Sequence, residues 1–167
     1  MTDPSGSTDL LLTVTIKELP QLHVAYVRHV GPYNGIGAAF GRLMAWAEPQ
    51  GFLQQPDAKV IAVYHDDPAR VAPPELRSSA CITVPQGTET TGEVSTMDVP
   101  GGLYALAHVE IQHDQFSQAW QVFMAQIHAH GYASDPNRAC YEVYLNDPQT
   151  HPERKFIVEL CEPIQKK

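Results

Sequence analysis

The sequence predicts an α+β domain built from two copies of a β-β-α-β-β unit, with a pocket where the copies meet. Three observations carry this. Val60-Ile61-Ala62-Val63-Tyr64-His65-Asp66-Asp67-Pro68 is echoed 80 residues later by Cys140-Tyr141-Glu142-Val143-Tyr144-Leu145-Asn146-Asp147-Pro148. The same offset runs without a gap from Val14/Val94 to Pro68/Pro148, through Pro20/Pro100, Ala39/Ala119, Met44/Met124 and Gly51/Gly131. Each half also switches its hydrophobic period in the same order, from alternation to a helical stripe and back. One unit of about 70 residues with a single helix has a marginal core. Two units are therefore expected to pack about a pseudo-twofold axis and share one, and such seams leave concave, mostly apolar gaps.

The elements follow in order. Residues 1–12 precede the first strand and are expected to form a flexible tail. Residues 13–165 are expected to form one domain, with repeats at 13–85 and 93–164. Residues 14–19 alternate and stop at Pro20, and Leu22–Val30 reads as the next strand after a tight connection. Gly31-Pro32-Tyr33 ends it. Residues 34–50 read as a helix, with Ile36, Phe40, Leu43, Met44 and Ala47 on one face, Pro49 at its end and Gly51 beyond. Strands are expected over 60–65 and 79–84, and 86–92 is a polar linker. The order then repeats: strands at 93–99 and 103–110, a helix over 114–130 with Phe116, Trp120, Phe123, Met124 and Ile127 on one face, and strands at 140–145 and 155–161.

Composition narrows the function classes. The net charge is -8 and no block of Lys or Arg stands out, which argues against direct binding of nucleic acid. The three cysteines form no Cys-x-x-Cys pair and read as reduced, buried thiols. No apolar run suits a membrane span, and the first residues lack the pattern of a signal peptide, so a cytoplasmic location is expected. His128 and His130 do not share a helix face, so no metal is expected. There is no nucleophile elbow, phosphate loop or dinucleotide fingerprint, and no cofactor is expected.

Glu142 is the principal candidate residue. A Glu on the wet face of an antiparallel strand is common. Here, however, its neighbours on that face are Cys140 and Tyr144, and its repeat mate is Ala62. A buried carboxylate is costly unless paired. Tyr64 and Tyr144 share the face of Glu142, as core tyrosines or as pocket walls. Phe40 and Trp120 are repeat mates on inward helix faces, with the same two readings. Tyr33 serves as a lid or as a staple at the helix start.

Val14-Thr15-Ile16-Lys17-Glu18-Leu19-Pro20, His29-Val30-Gly31-Pro32-Tyr33, Gly101-Gly102-Leu103-Tyr104 and the two central strand motifs together resemble the GyrI-like small-molecule-binding family. Leu76-Arg77, Ile82-Thr83-Val84-Pro85 and the helix bearing Phe116, Trp120 and Phe123 look most like its stand-alone gyrase-inhibitory members. The resemblance implies a curved antiparallel sheet with two helices. It also implies a seam pocket with aromatic walls, where a Glu, here Glu142, meets cationic, lipophilic ligands. Family regulators carry a preceding helix-turn-helix domain. Only about a dozen residues precede the first strand here, so DNA binding of that kind is not expected. Three function classes follow from the resemblance. One is a binding protein for cationic or lipophilic molecules. Another is an inhibitor of DNA gyrase that protects against toxins. The third is a hydrolase of cyclopropane-bearing electrophiles, with Glu142 as general base or as the group that orients water, and Tyr64 as its partner.

Overall fold

The computed structural model describes residues 12–167. The tail expected at residues 1–12 therefore lies outside the described residues, except for Leu12. Nine strands and two helices follow one another as β1 (Thr15–Leu19), β2 (Leu22–Val30), α1 (Gly37–Ala47), β3 (Val60–Tyr64), β4 (Arg77–Thr83), β5 (Ser95–Val99), β6 (Gly102–Ile111), α2 (Phe116–Ala129), β7 (Tyr132–Ser134), β8 (Cys140–Tyr144) and β9 (Phe156–Lys166). No helix among the described residues is long and apolar enough to cross a membrane.

The strands form one antiparallel sheet in the order β1-β6-β9-β8-β3-β4-β2-β5, with β7 added beside β9. β3 and β8 lie at its centre, and Ala62 pairs with Glu142. Residues 80 apart in sequence thus face each other at the middle of the sheet. The first strand of each half leaves its own half: β1 pairs with β6, and β5 pairs with β2. Two residues, Pro20 and Gln21, join β1 at one edge to β2 near the other. So short a link requires the sheet to curl until its ends approach. The links do meet. A Cβ on Gly101, between β5 and β6, would lie 2.5 Å from the carbonyl oxygen of Leu19 and 2.6 Å from the amide nitrogen of Gln21.

Both helices cover one face of the sheet. α1 buries Ala39, Leu43 and Ala47, and α2 buries Ala119, Phe123 and Ile127, each at i, i+4, i+8 spacing. Against them pack Ala25, Val27, Ala62, Ala80 and Ile82 on one side, and Ala105, Ala107, Val158 and Leu160 on the other. Small residues on the strands let the helices approach closely. The opposite face carries a second apolar cluster of Val24, Ile61, Val63, Tyr104, Tyr141 and Val143. The central strands are therefore buried on both faces.

Most boundaries shift from the sequence reading by no more than two residues, and three departures are larger. α1 is shorter, because 3-10 turns at Tyr33–Gly35 and Glu48–Gln50 flank it. Pro49 has no N–H to extend the helix, and Gly51 turns the chain with φ +80°. β7 was not expected, since three residues are too few to set a period. β9 runs on past Cys161 and through Pro163, because Ser134 of β7 pairs with Ile164.

Candidate functional site

Glu142 points from the middle of β8 toward the helices. It is 2% exposed. Three side chains donate hydrogen bonds to its carboxylate: Tyr64 OH to Oε1 at 2.7 Å, Tyr144 OH to Oε1 at 2.7 Å, and Trp120 Nε1 to Oε2 at 2.6 Å. Each donor has a structural reason to be there. Tyr64 closes β3, next to β8. Tyr144 lies two residues along β8, on the same face. Trp120 leans inward from the first turns of α2, beside the buried Ala119 and Phe123. All three donors are neutral, and among the described residues no cationic side chain pairs with Glu142.

A second ring of aromatics holds the donors. Phe40 of α1 meets Tyr144 edge-on, with ring centres 5.7 Å apart. Tyr33 lies over Tyr64 with centres 4.7 Å apart. The Tyr33 hydroxyl donates to the carbonyl of Asp66 and accepts from its amide. Asp66 is fixed by Arg77, whose bonds hold that carboxyl down at about 2. The six residues singled out in the sequence, Glu142, Tyr64, Tyr144, Trp120, Phe40 and Tyr33, thus form one connected cluster.

The carboxylate is covered rather than displayed. Two cavities of about 430 and 210 Å³ open on the opposite face, around Lys17, Leu19 and Glu159, and Glu142 lines neither. The aromatic side chains that satisfy Glu142 also fill the space above it. Sequence reading missed three further residues. Glu162 is a second buried acid on the helix side, and the residue 80 positions earlier is Ile82. It lay past the expected end of β9, so no strand pattern marked it. Phe156 packs against Tyr144 and Phe116. Ser78 is fully buried beside Tyr64.

Burial raises the pKa of Glu142, and the bonds from Tyr64, Trp120 and Tyr144 oppose that rise. Burial also pushes Tyr64 and Tyr144 well above the usual tyrosine range, and the neighbouring carboxylate adds to the effect. A carboxyl whose folded pKa is raised holds its proton more tightly in the native state. Its contribution to stability is then complete below the unfolded value and is lost as pH rises through the folded one. Glu142→Gln removes this titration. Urea unfolding across a pH series should show the variant gaining on the parent as pH rises above the ordinary carboxylate range. A difference that stays constant with pH would contradict the raised value.

Comparisons with known proteins agree with this architecture. The chain is 34% identical over 141 residues to DNA gyrase inhibitor 2 of Dickeya dadantii, covering 81% of this chain and 87% of that one. It is 33% identical over 158 residues to the DNA gyrase inhibitor of Pectobacterium carotovorum subsp. carotovorum, covering 92% and 98%. Among solved structures, the EcmrR C-terminal domain aligns with a TM-score of 0.73 at 17% identity, covering 95% of this chain and all of that one. SAV2435 bound to tetraphenylphosphonium aligns at 0.59 with 10% identity, covering 92% and 94%. The profile of the GyrI-like small molecule binding domain matches residues 12–165, and the chain belongs to that family.

Proposed function

We propose that this protein binds a lipophilic organic cation at Glu142, in a cleft that opens between two copies of one β-β-α-β-β unit. One observation carries the reading: a buried carboxylate held only by neutral aromatic donors. A buried charge without a counter-charge is costly, and a cation would neutralise it. The same rings that cover Glu142 would then face the ligand and add cation–π attraction. Entry requires Tyr64, Tyr144 or Trp120 to give up a bond, so the closed cluster is the resting state of the site. The strand registers support the duplicated unit. Every pairing of the first half has its counterpart in the second at an offset of 80, and the strand order reads alike from both ends. The domain is then residues 13–165, with repeats at 13–85 and 93–164.

Trp120 supplies the test. The chain has two tryptophans, and Trp46 stacks on Phe52. In Trp46→Phe, Trp120 emission reports on the site alone. Titration with tetraphenylphosphonium should shift that emission saturably. A flat titration under conditions where equilibrium dialysis records binding would move the ligand elsewhere, and no binding by dialysis would remove the reading. DNA gyrase is the proposed protein partner, given the names of the relatives. Supercoiling by gyrase should slow as this protein is added.

A second reading rests on the 2.7 Å bond between Tyr64 and Glu142. A carboxylate and a hydroxyl in such contact suit hydrolytic ring opening of a cyclopropane-bearing electrophile. The carboxylate takes the proton of an attacking water as the C–O bond forms and the strained C–C bond breaks, and Tyr64 protonates the carbon that leaves. Product formation that disappears in both Tyr64→Phe and Glu142→Gln would favour it.

A further inference from the structure

We propose that Ser78 forms a second, neutral polar subsite of the Glu142 cleft, so that the preferred ligand is an elongated organic cation carrying a hydroxyl or carbonyl at its far end. The proposal rests on the reading of that cleft as a ligand site and adds a chemical requirement to it.

Ser78 is 0% exposed, and its hydroxyl is the buried side-chain polar atom without a hydrogen-bond partner among the described residues. Such a group costs stability that an apolar residue would not. The fold itself does not ask for a hydroxyl there. The position 80 residues later is Val158, fully buried among hydrocarbon against α2. One half of the sheet therefore places an apolar side chain where the other places an unpaired polar one.

The position of Ser78 connects it to the cleft. In register it lies between Tyr64 of β3 and His29 of β2. Tyr64 holds Glu142. His29 bonds to the carbonyl of Pro32 at 2.9 Å, and a Cβ on Gly35 would come within 3.1 Å of its ring. The turn Tyr33–Gly35 therefore spans from Tyr64 to His29, across the strand that carries Ser78. Displacing that turn, which brings Tyr33 off Tyr64, uncovers both residues together. Glu142 and Ser78 are two strands and two residues apart, about 12 Å between Cα atoms from ordinary sheet spacings. A compact, all-hydrocarbon cation fills only the Glu142 end. A cation with a polar tail reaches both.

Two probes differing in one group provide the test: (6-hydroxyhexyl)triphenylphosphonium and heptyltriphenylphosphonium. Both should bind the wild-type protein. Ser78→Ala should weaken the hydroxyl probe about three- to tenfold, the range for one neutral hydrogen bond, and leave the heptyl probe unchanged. Its melting temperature should stay the same or rise. Equal effects on the two probes, or no effect on either, would overturn the Ser78 subsite while leaving the Glu142 site standing. A fall in melting temperature of more than about 4 °C would mean that the hydroxyl serves the fold, and would overturn it too. Failure of both probes to bind wild type would overturn the cleft and the subsite together.

Discussion

Glu142→Gln should weaken tetraphenylphosphonium by about 2–5 kcal/mol, at least about 30-fold in Kd, the range for truncating one partner of a desolvated charge pair. The variant suits the purpose because its geometry can be preserved. Trp120 Nε1 can only donate, so the amide oxygen of Gln must face it. The amide NH2 then faces the hydroxyls of Tyr64 and Tyr144, which can turn and accept. Shape, aromatic walls and hydrogen-bond count all survive, and only the charge is lost. Triphenylphosphine oxide, neutral and of related shape, should change much less. Calorimetric titration of both compounds against both proteins provides the comparison. Equal affinity of the two proteins for the cation would place the charge of Glu142 outside recognition.

Much of the candidate site's geometry was legible because its residues sit at positions whose structural meaning is local. Mid-strand alternation put Glu142 and Tyr144 on one face, and the 80-residue offset in sequence matched Tyr64 with Tyr144 and Phe40 with Trp120. Helical spacing turned Phe40 and Trp120 inward. None of this depends on which strands pair. What was not legible depends on pairing. The exchange of β1 and β5 between halves leaves no local trace, since each strand alternates in the same way wherever it docks. Burial of the face away from the helices likewise follows from pairing and closure, since curling of the sheet buries Ile61, Val63, Tyr141 and Val143 there. Glu162 escaped notice because the last strand was read as ending at Cys161, one residue short of it. A proline can stay in β9 because its carbonyl still accepts, here from the amide of Asp135.

The closure of the sheet gives the second large effect. Gly101→Ala should destabilise the protein by about 3 kcal/mol, the upper part of the range for overpacking a rigid site. The cause is contact rather than backbone conformation, because Gly101 is not among the glycines with positive φ. Its Cβ would fall 2.5 Å from the Leu19 oxygen, 2.6 Å from the Gln21 nitrogen and 2.7 Å from the Pro20 carbonyl carbon. These are all backbone atoms, so no side chain can turn away. Pro20 restricts the link further. Relief requires the two connections to part, and with them the pairings of β1 with β6 and β5 with β2, since each connection ends in those strands. At about 2–4 °C per kcal/mol for a chain of this length, the melting temperature should fall by roughly 10 °C. Gly41→Ala is the matching control. It lies in α1 with nothing within 4 Å of the added carbon, so the variant should gain about 0.5–1 kcal/mol from helix propensity. The two substitutions add the same methyl group and should move thermal unfolding in opposite directions. A Gly101→Ala protein that melts with the parent would mean that the two connections do not cross in contact, and that the sheet closes in some other way.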